Sequence, residues 1–140
     1  MQGGRQELTD APRREDVELI ERGINQHNID ATGRDDAREL AIFVRDGAGA
    51  IVGGLYGWTW AAWLEVRFLW LESHWRGQGH GTRMLQAAEA EARARGCQRV
   101  LLDSYSFQAP EFYLRQGYEA FGTLHGFPEP HSRVYMTTRL

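Results

Sequence analysis

The sequence predicts a single α+β domain built around a mixed β-sheet, and three observations support this class. Residues 40–71 contain three apolar segments joined by short turns, which is the pattern of an antiparallel meander. A helical apolar stripe over 81–92 stands between two apolar segments, which predicts a strand–helix–strand crossover. The 140 residues carry no internal repeat or linker, and they suffice for one domain, 1–140, with a buried core.

One helix is predicted in the first forty residues. The polar N-terminal segment predicts no more than a short edge strand at 7–9. Asp10 as the cap and Pro12 in the first turn begin a helix that ends near 27–28. Its apolar stripe consists of Val17, Ile20 and Ile24. The polar residues 28–37 then predict a loop with at most one further helical turn.

The remaining elements follow in order. The strands of the meander are predicted at Leu40–Arg45, Ile51–Trp60 and Trp63–Leu71. A long helix from Gly81 ends at Gly96. Its predicted solvent face consists of Glu89, Glu91, Arg93 and Arg95. The last predicted elements are a buried strand at 99–103, a short helix at 111–116 and strands at about 118–124 and 132–140.

Composition argues against several classes of function. The formal net charge of −3 gives no support for nucleic-acid binding, and no apolar run approaches the ~20 residues of a membrane helix. The N-terminus lacks an apolar signal core, and a single cysteine, Cys97, cannot form an internal disulfide, so we expect a cytoplasmic protein. His125 and His131 lack the cysteine or acidic neighbours of a zinc site, so no metal is expected.

The most informative segment is the glycine turn between the third strand and the long helix. Gly77, Gly79 and Gly81 follow Arg76, and the helical stripe begins at once. A helix N-terminus leaves backbone N–H groups unpaired, so a turn without side chains there suits a phosphate group. The segment lacks the Gly-Lys-Ser/Thr end of a nucleotide P-loop and the third glycine of a dinucleotide turn. The alternative is a turn that only lets a strand meet a helix closely.

Two motifs carry a resemblance to a known family. Arg76, Gly79 and Gly81 fit the spacing Arg-x-x-Gly-x-Gly, and here the chain resembles the GNAT superfamily of N-acetyltransferases at its acyl-CoA signature. Residues 107–118 resemble the family's second motif, a short helix with Phe-Tyr, three residues, then glycine and an aromatic residue. The order of elements also agrees, well over 40–140 and loosely before that.

This resemblance implies a partly splayed sheet flanked by helices, acetyl-CoA as the acyl donor and, as is common in the family, a homodimer. It assigns the CoA pyrophosphate to Arg76, Gly77, Gly79, Gly81 and Thr82, chiefly through backbone N–H groups. Backbone groups of Leu69 and Leu71 would pair with the pantetheine amides. Ser106 stands where the family often has an asparagine, which weakens a side-chain contact to pantetheine there.

The chemistry of amine acetylation points to two further side chains. An alkylammonium has a pKa near ~10, and its neutralisation at pH 7 costs about 4 kcal/mol, so a base is useful. Glu65, the only acid between Asp46 and Glu72, is the candidate base, as in the histone-modifying branch of the family. Glu72 is the second candidate, and Glu65 could instead be a half-exposed sheet residue paired with Arg67 or with an arginine of another strand. Tyr113 matches the position that commonly faces the CoA sulfur, and it is either the proton donor or a core aromatic residue.

The pattern as a whole predicts an acetyl-CoA-dependent N-acetyltransferase that acetylates a primary amine of a small molecule by direct transfer. The alternatives are transfer to a protein or peptide amine, and a non-catalytic acyl-CoA sensor. The paired tryptophans Trp58 and Trp60 share a sheet face, where they would wall an acceptor pocket or pack in a core or dimer contact. Asn25, His27 and Asn28 suit either acceptor contact or a frayed helix end.

Overall fold

The computed structural model describes residues 3–140, and contacts divide the chain into two compact units between Asp35 and Asp36. The first unit holds helix α1 (Arg14–Thr32). The second holds the strands β1 (Arg38–Arg45), β2 (Ile51–Trp60), β3 (Trp63–Leu71), β4 (Arg99–Tyr105), β5 (Glu119–His125) and β6 (Ser132–Arg139). Its helices are α2 (His80–Ala94) and α3 (Pro110–Arg115), and a short 3-10 turn occupies Ser73–Trp75. None of the helices in residues 3–140 combines the length and the apolar composition that spanning a bilayer requires.

Helix α1 differs from the sequence-based prediction at both ends. It begins at Arg14 without a side-chain cap, so Asp10 does not cap it, and residues 7–9 form no strand. It continues to Thr32 because the residue that can end it is Gly33, which adopts the left-handed conformation with φ of 71°. The polar residues after the predicted end contain no such stop signal, and polarity alone does not terminate a helix.

The side chains of α1 are exposed more fully than its sequence pattern predicts. The helix contains no buried residue, and Ile20 and Ile24 of the apolar stripe are 72% and 54% exposed. Asn25, His27 and Asn28 lie inside the helix rather than at its end. Fraying therefore does not explain their polarity.

The second unit is a six-stranded mixed sheet with the strand order β1-β2-β3-β4-β6-β5. The first three strands form the predicted antiparallel meander. Strands β3 and β4 are parallel neighbours, but they pair only over residues 63–65 and 99–101, and beyond these the two strands part. Strand β6 pairs with β4 over the whole length of β4. The predicted α+β class with a mixed, partly splayed sheet is therefore confirmed.

A β-bulge in β3 lies just beyond the last residue that pairs with β4. Tyr56 of β2 pairs with Phe68, whereas the next residue, Gly57, pairs with Val66, so Arg67 is the extra residue. A side chain at Gly57 would collide with the carbonyl oxygen of the residue before Val66, which explains the glycine there. The bulge shifts the alternation of β3, so that Leu64 and Val66 before it and Leu69 and Leu71 after it share the core face.

The core lies on the face of the sheet that α2 covers. The largest side chains that are exposed by less than 2% are Leu55, Leu64, Leu85, Val100 and Met136. Helix α2 contributes its predicted apolar stripe, of which Met84, Leu85, Ala88 and Ala92 are buried. Cys97 is buried beside them, as expected of a small apolar residue. Removal of this area from water is the main stabilising contribution to the fold.

Two residues that the sequence pattern places on the solvent face of α2 have structural partners instead. Arg95 donates from Nη1 to the carbonyl oxygens of Arg38 (3.2 Å) and Glu39 (3.0 Å), and its side chain is only 13% exposed. Glu89 accepts a hydrogen bond from the Tyr118 hydroxyl at 2.7 Å. Sequence periodicity predicts the face of the helix on which a residue lies, but it does not show whether a long side chain on that face contacts a neighbouring strand.

Arg95→Met should lower the free energy of unfolding by about 2 kcal/mol, because it removes charge-assisted hydrogen bonds to β1 while keeping the aliphatic stem. The measurement is urea unfolding followed by tryptophan fluorescence. Arg93→Met is the matched control, since Arg93 is exposed on the same turn of α2. Equal losses for the two variants would show that the contacts of Arg95 contribute no stability.

Candidate active site

The glycine turn has the backbone geometry that an anion site requires. Gly77 and Gly79 adopt the left-handed conformation with φ of 76° and 84°, which side chains rarely tolerate. Gly79 is the N-cap of α2, and no side chain caps the helix. The N–H groups of the first turn of α2 therefore lack an intrahelical partner and can bind a ligand.

Two of the predicted phosphate-binding residues also connect the turn to neighbouring elements. Arg76 donates from Nε to the carbonyl oxygen of Leu71 at 2.9 Å, so its guanidinium is anchored at the end of β3. The Thr82 hydroxyl accepts a hydrogen bond from Nε2 of Gln116 at 3.3 Å. The turn is thereby tied to β3 on one side and to the end of α3 on the other.

A cation that sequence reasoning did not single out lies over the turn. Arg83 donates from Nη2 to the carbonyl oxygen of Gln78 at 3.1 Å, and the same atom is 3.2 Å from Nδ1 of His80. A carbon added at Gly79 would lie 2.8 Å from Nη1 of Arg83. The available signal is an arginine one helical turn after Gly79, the N-cap of α2.

The separation of β3 from β4 leaves backbone groups of β3 facing a gap. In an antiparallel pair, residues alternate between those that hydrogen-bond to the partner strand and those whose N–H and C=O point the other way. Glu72 donates its N–H to the Val52 carbonyl oxygen at 2.8 Å, which places Leu71, and Leu69 two residues earlier, in the second set. Their backbone groups therefore point to the side from which β4 has departed.

Glu65 lies at the closed end of this gap, on the sheet face opposite the core. It is the last β3 residue that pairs with β4, where Leu101 is its neighbour, and Trp58 faces it from β2. Burial raises the pKa of the Glu65 carboxyl above its usual value near 4.5, while Arg67 opposes this shift and Asp103 reinforces it. Glu65 is a partly exposed sheet residue, and among the described residues no ion pair joins it to Arg67.

Sequence reasoning missed one acid of this region, Asp103, which lies on β4 two residues after Leu101, the neighbour of Glu65. Asp103 projects from the same sheet face as Glu65 and forms an ion pair with Arg133 of β6 at 2.7 Å, with both side chains 18% exposed. The Arg133 guanidinium also lies 5.2 Å from the ring centres of Tyr105 and Tyr135. The available signal was an acid at the end of an otherwise apolar strand, but its partner comes from a distant part of the chain.

Helix α3 lies directly behind the glycine turn and carries Tyr113. A carbon added at Gly81 would be in van der Waals contact with the Phe112 ring at 3.5 Å. Tyr113 is 8% exposed, and burial together with Asp103 raises its pKa to about 12. The Tyr113 hydroxyl forms no hydrogen bond within residues 3–140. Every fully buried polar side-chain atom of these residues does form one, so the Tyr113 hydroxyl is not fully buried and reaches solvent.

The other residues considered from the sequence have more ordinary surroundings. Glu72 is partly exposed beside the turn. The Ser106 hydroxyl accepts a hydrogen bond from the Ser132 N–H at 3.0 Å and so joins the end of β4 to β6. The His131 ring packs on Phe107 with 5.1 Å between ring centres. No group of three or more His, Cys, Asp or Glu in residues 3–140 is placed to hold a metal ion.

A pocket of about 320 Å³ opens on the same sheet face as Glu65. Its lining residues are Trp58, Trp60, Ala61, Trp63, Glu65 and Leu101. The tryptophans lie outside the buried core, so the interpretation of Trp58 and Trp60 as core residues is wrong.

The sequence and the fold of this chain are similar to those of known acetyltransferases. The model of the Acetyltransferase (GNAT) family matches residues 5–118. An acetyltransferase of Agrobacterium fabrum is 32% identical over 132 residues, which cover 94% of this chain and 96% of that protein. The blasticidin-S acetyltransferase of Streptomyces morookaense is 36% identical over 97 residues, 66% of this chain and 71% of that one. A crystal structure of an Agrobacterium tumefaciens protein superimposes with a TM-score of 0.91 at 31% identity, covering 98% and 100% of the two chains.

Gly79→Ala should weaken the binding of acetyl-CoA at least about tenfold, a loss of about 1.4 kcal/mol, because the new methyl group enters the space between the turn and Arg83. Titration calorimetry measures this dissociation constant. Gly49→Ala is the control: Gly49 has nearly the same φ, 86°, but lies in the β1–β2 turn with open space around it. Both variants carry a similar backbone strain of about 1–2 kcal/mol. Unchanged binding in Gly79→Ala, or equal weakening in both, would contradict the placement of the phosphate site.

Proposed function

The chain belongs to the GNAT acetyltransferase family, and from this premise we propose that it transfers an acetyl group from acetyl-CoA directly to a primary amine of a small molecule. One observation carries the proposal: β3 and β4 part beyond Glu65, and the backbone groups of Leu69 and Leu71 face the resulting gap. A gap lined by backbone groups suits an extended ligand that contains amides of its own.

The donor would lie along β3 with its pyrophosphate on the glycine turn. The N–H groups at the start of α2 and the arginines Arg76 and Arg83 would hold the phosphates. The pantetheine amides would then pair with Leu69 and Leu71 as an added strand does. In this orientation the pantetheine arm extends from the glycine turn toward Glu65, so the thioester and the candidate base lie at the same end of the gap.

Glu65 is proposed as the base that removes a proton from the acceptor ammonium, directly or through a water molecule. The cost of neutralising an alkylamine at pH 7 is about 4 kcal/mol, and a base of raised pKa lowers it. Burial supplies that shift at Glu65. The neutral nitrogen attacks the thioester carbonyl carbon, the new C–N bond forms, the nitrogen loses one further proton to solvent, and the C–S bond breaks to release the CoA thiolate without a covalent enzyme intermediate.

Tyr113 is proposed as the hydrogen-bond donor to the departing sulfur. With a pKa of about 12, its hydroxyl stays protonated at every working pH. Complete proton transfer to a thiolate whose conjugate thiol has a pKa near ~8.5 would be uphill by roughly 5 kcal/mol. The favoured role is therefore a hydrogen bond that stabilises the developing thiolate, which then takes its proton from solvent.

The acceptor is proposed to be a small molecule because the Streptomyces morookaense relative is named for one, blasticidin-S. The proposal extends to a homodimer working in the cytoplasm as one 140-residue domain. The single buried thiol of Cys97 suits a reducing compartment. Light scattering at several concentrations tests the oligomeric state.

The test of the proposed function is a thermal shift with acetyl-CoA, followed by a panel of amines in which free thiol is monitored. Ligand at a hundredfold excess over its dissociation constant stabilises the fold by about 2.7 kcal/mol, which raises Tm by roughly 5–10 °C. A shift with thiol release on small amines supports the proposal. A shift with release only on peptides, or with no release, indicates a protein acetyltransferase or a sensor. No shift rejects the donor site.

Glu65→Gln should lower kcat at pH 7 about a hundredfold, because the amide cannot accept the proton. The base acts when ionised, so wild-type kcat falls as the pH drops through the pKa of Glu65, and the midpoint of this limb lies above 4.5. The variant should lose the limb. A pH–rate profile with saturating substrates measures both effects, and Glu72→Gln should retain the wild-type profile. Loss of the low-pH limb in Glu72→Gln but not in Glu65→Gln would instead assign the role of base to Glu72.

Tyr113→Phe should lower kcat about ten- to a hundredfold while the dissociation constant of acetyl-CoA stays the same, since only the hydrogen bond to the departing sulfur is lost. Stopped-flow thiol detection gives the rate. Tyr118→Phe is the control, because its hydroxyl bonds Glu89 instead, and that variant should lose stability but not kcat. Equal turnover in Tyr113→Phe and the wild type would remove Tyr113 from the mechanism.

A further inference from the structure

We propose that the acceptor is an amine with a single positive charge and a flat, aromatic body, bound in the pocket formed by Trp58, Trp60, Trp63 and Glu65. The inference rests on the proposed function and names the class of substrate. Three indole rings surround one carboxylate on a sheet face next to the gap that would hold the donor. These groups match an aryl ring and an ammonium held a short distance apart.

The pairing of β2 with β3 brings the walls of the pocket together. Trp58 lies opposite Glu65, and Trp60 lies opposite Trp63, so the four side chains form two adjacent cross-strand pairs on one face. Leu101 of β4 adjoins Glu65 and supplies an apolar side. An aromatic ring among the indoles would gain stacking contacts while its amine reaches the carboxylate.

The turn that closes the pocket is held in a strained conformation. Ala61 and Ala62 both have positive φ, 53° and 66°, although neither is glycine. Asp36 accepts the Ala61 N–H at 3.2 Å through Oδ1, and the Ala62 carbonyl accepts the Gln98 N–H at 2.8 Å. These contacts fix the two-residue turn and bring Trp60 next to its partner, so the pocket is preformed rather than assembled on binding.

The charges around the pocket accommodate one positive group and disfavour a second. Glu65 is the only acid in the lining. The next row of the sheet face holds Arg99, whose guanidinium lies 5.8 Å from the centre of the Trp63 ring. On the other side Asp103 is neutralised by Arg133 at 2.7 Å. Asp36, next to Ala61, accepts the Ala61 N–H. A diamine or polyamine that extends from the pocket along β4 would place its second charge beside a cation or beside an already neutralised carboxylate.

The size of the pocket sets a further limit. Its volume of about 320 Å³ is at the lower end of the roughly 300–1,000 Å³ typical of small-molecule sites. One or two fused rings with a short aminoalkyl chain suit this space. A large polar molecule of several sugar rings would leave its hydroxyl groups against indole faces.

The experiment compares kcat/KM for matched amines with saturating acetyl-CoA. The panel contains phenethylamine, tryptamine, cyclohexylethylamine, hexylamine and 1,6-diaminohexane. We expect the two aryl amines to exceed the alkyl monoamines about tenfold, as stacking and cation–π contacts allow, and the diamine to be the poorest substrate. Equal values for aryl and alkyl amines, or a preference for the diamine, would overturn the proposal.

Two variants and a control locate the effect. Trp58→Leu keeps an apolar side chain but removes the ring, and it should abolish the aryl preference by raising KM with little change in kcat. Arg99→Gln should raise the relative rate of the diamine, because it removes the opposing charge. Trp70→Leu is the control, since Trp70 is a 53% exposed tryptophan of β3 that does not line the pocket. An equal effect of Trp58→Leu and Trp70→Leu would show that the pocket does not select the acceptor.

A binding measurement separates this inference from the proposed function. Titration calorimetry with tryptamine and hexylamine is performed on the wild type and on Trp58→Leu in the presence of CoA. If no amine is acetylated but tryptamine binds the wild type at least about tenfold more tightly than Trp58→Leu, the transferase proposal fails and the aromatic pocket stands. If amines are acetylated without any effect of Trp58→Leu on tryptamine, the pocket proposal alone fails.

Discussion

The parting of β3 and β4 is the constraint on which the rest of the site depends. Two parallel strands that pair for three residues and then separate must leave backbone donors and acceptors without a sheet partner. At Leu71 the carbonyl oxygen is met by Arg76, whereas the neighbouring groups remain available to an extended ligand. The same separation defines a closed end, where Glu65 lies, and an open end, where the glycine turn lies. One irregularity of the sheet thus orders the donor, the base and the acceptor pocket along a single line.

On the sheet face that carries Glu65 and Asp103, positive and negative side chains nearly balance. Asp103 and Arg133 neutralise one another, and the aromatic rings around the guanidinium keep the pair away from bulk water. The carboxylate nearest the pocket, Glu65, is left without an ion-pair partner among the described residues, and this is the property that a base needs. A second unpaired acid beside it would have competed for the same proton and the same ammonium.

Local patterns predicted the elements of the fold, and long-range contacts account for what they missed. The meander, the glycine turn and the Phe-Tyr helix are each built from consecutive segments of the chain, and the sequence displays them directly. The partner of Asp103 is thirty residues away, and the anchoring of Arg95 on β1 spans more than fifty. The end of α1 differs from the sequence-based prediction for another reason: Gly33 is the stop signal, and the polar residues before it do not by themselves end a helix.

The turn at Ala61 and Ala62 has a consequence for how this pocket can change over evolutionary time. Glycine at either position would relax the backbone by about 1–2 kcal/mol, so selection for stability alone favours that replacement. Ala61, however, also lines the pocket, so the same replacement would alter the surroundings of the proposed acceptor. Stability of the hairpin and the shape of the pocket are therefore coupled at this position. A lineage that drifts to glycine here would gain a sturdier hairpin and change its acceptor site in the same step.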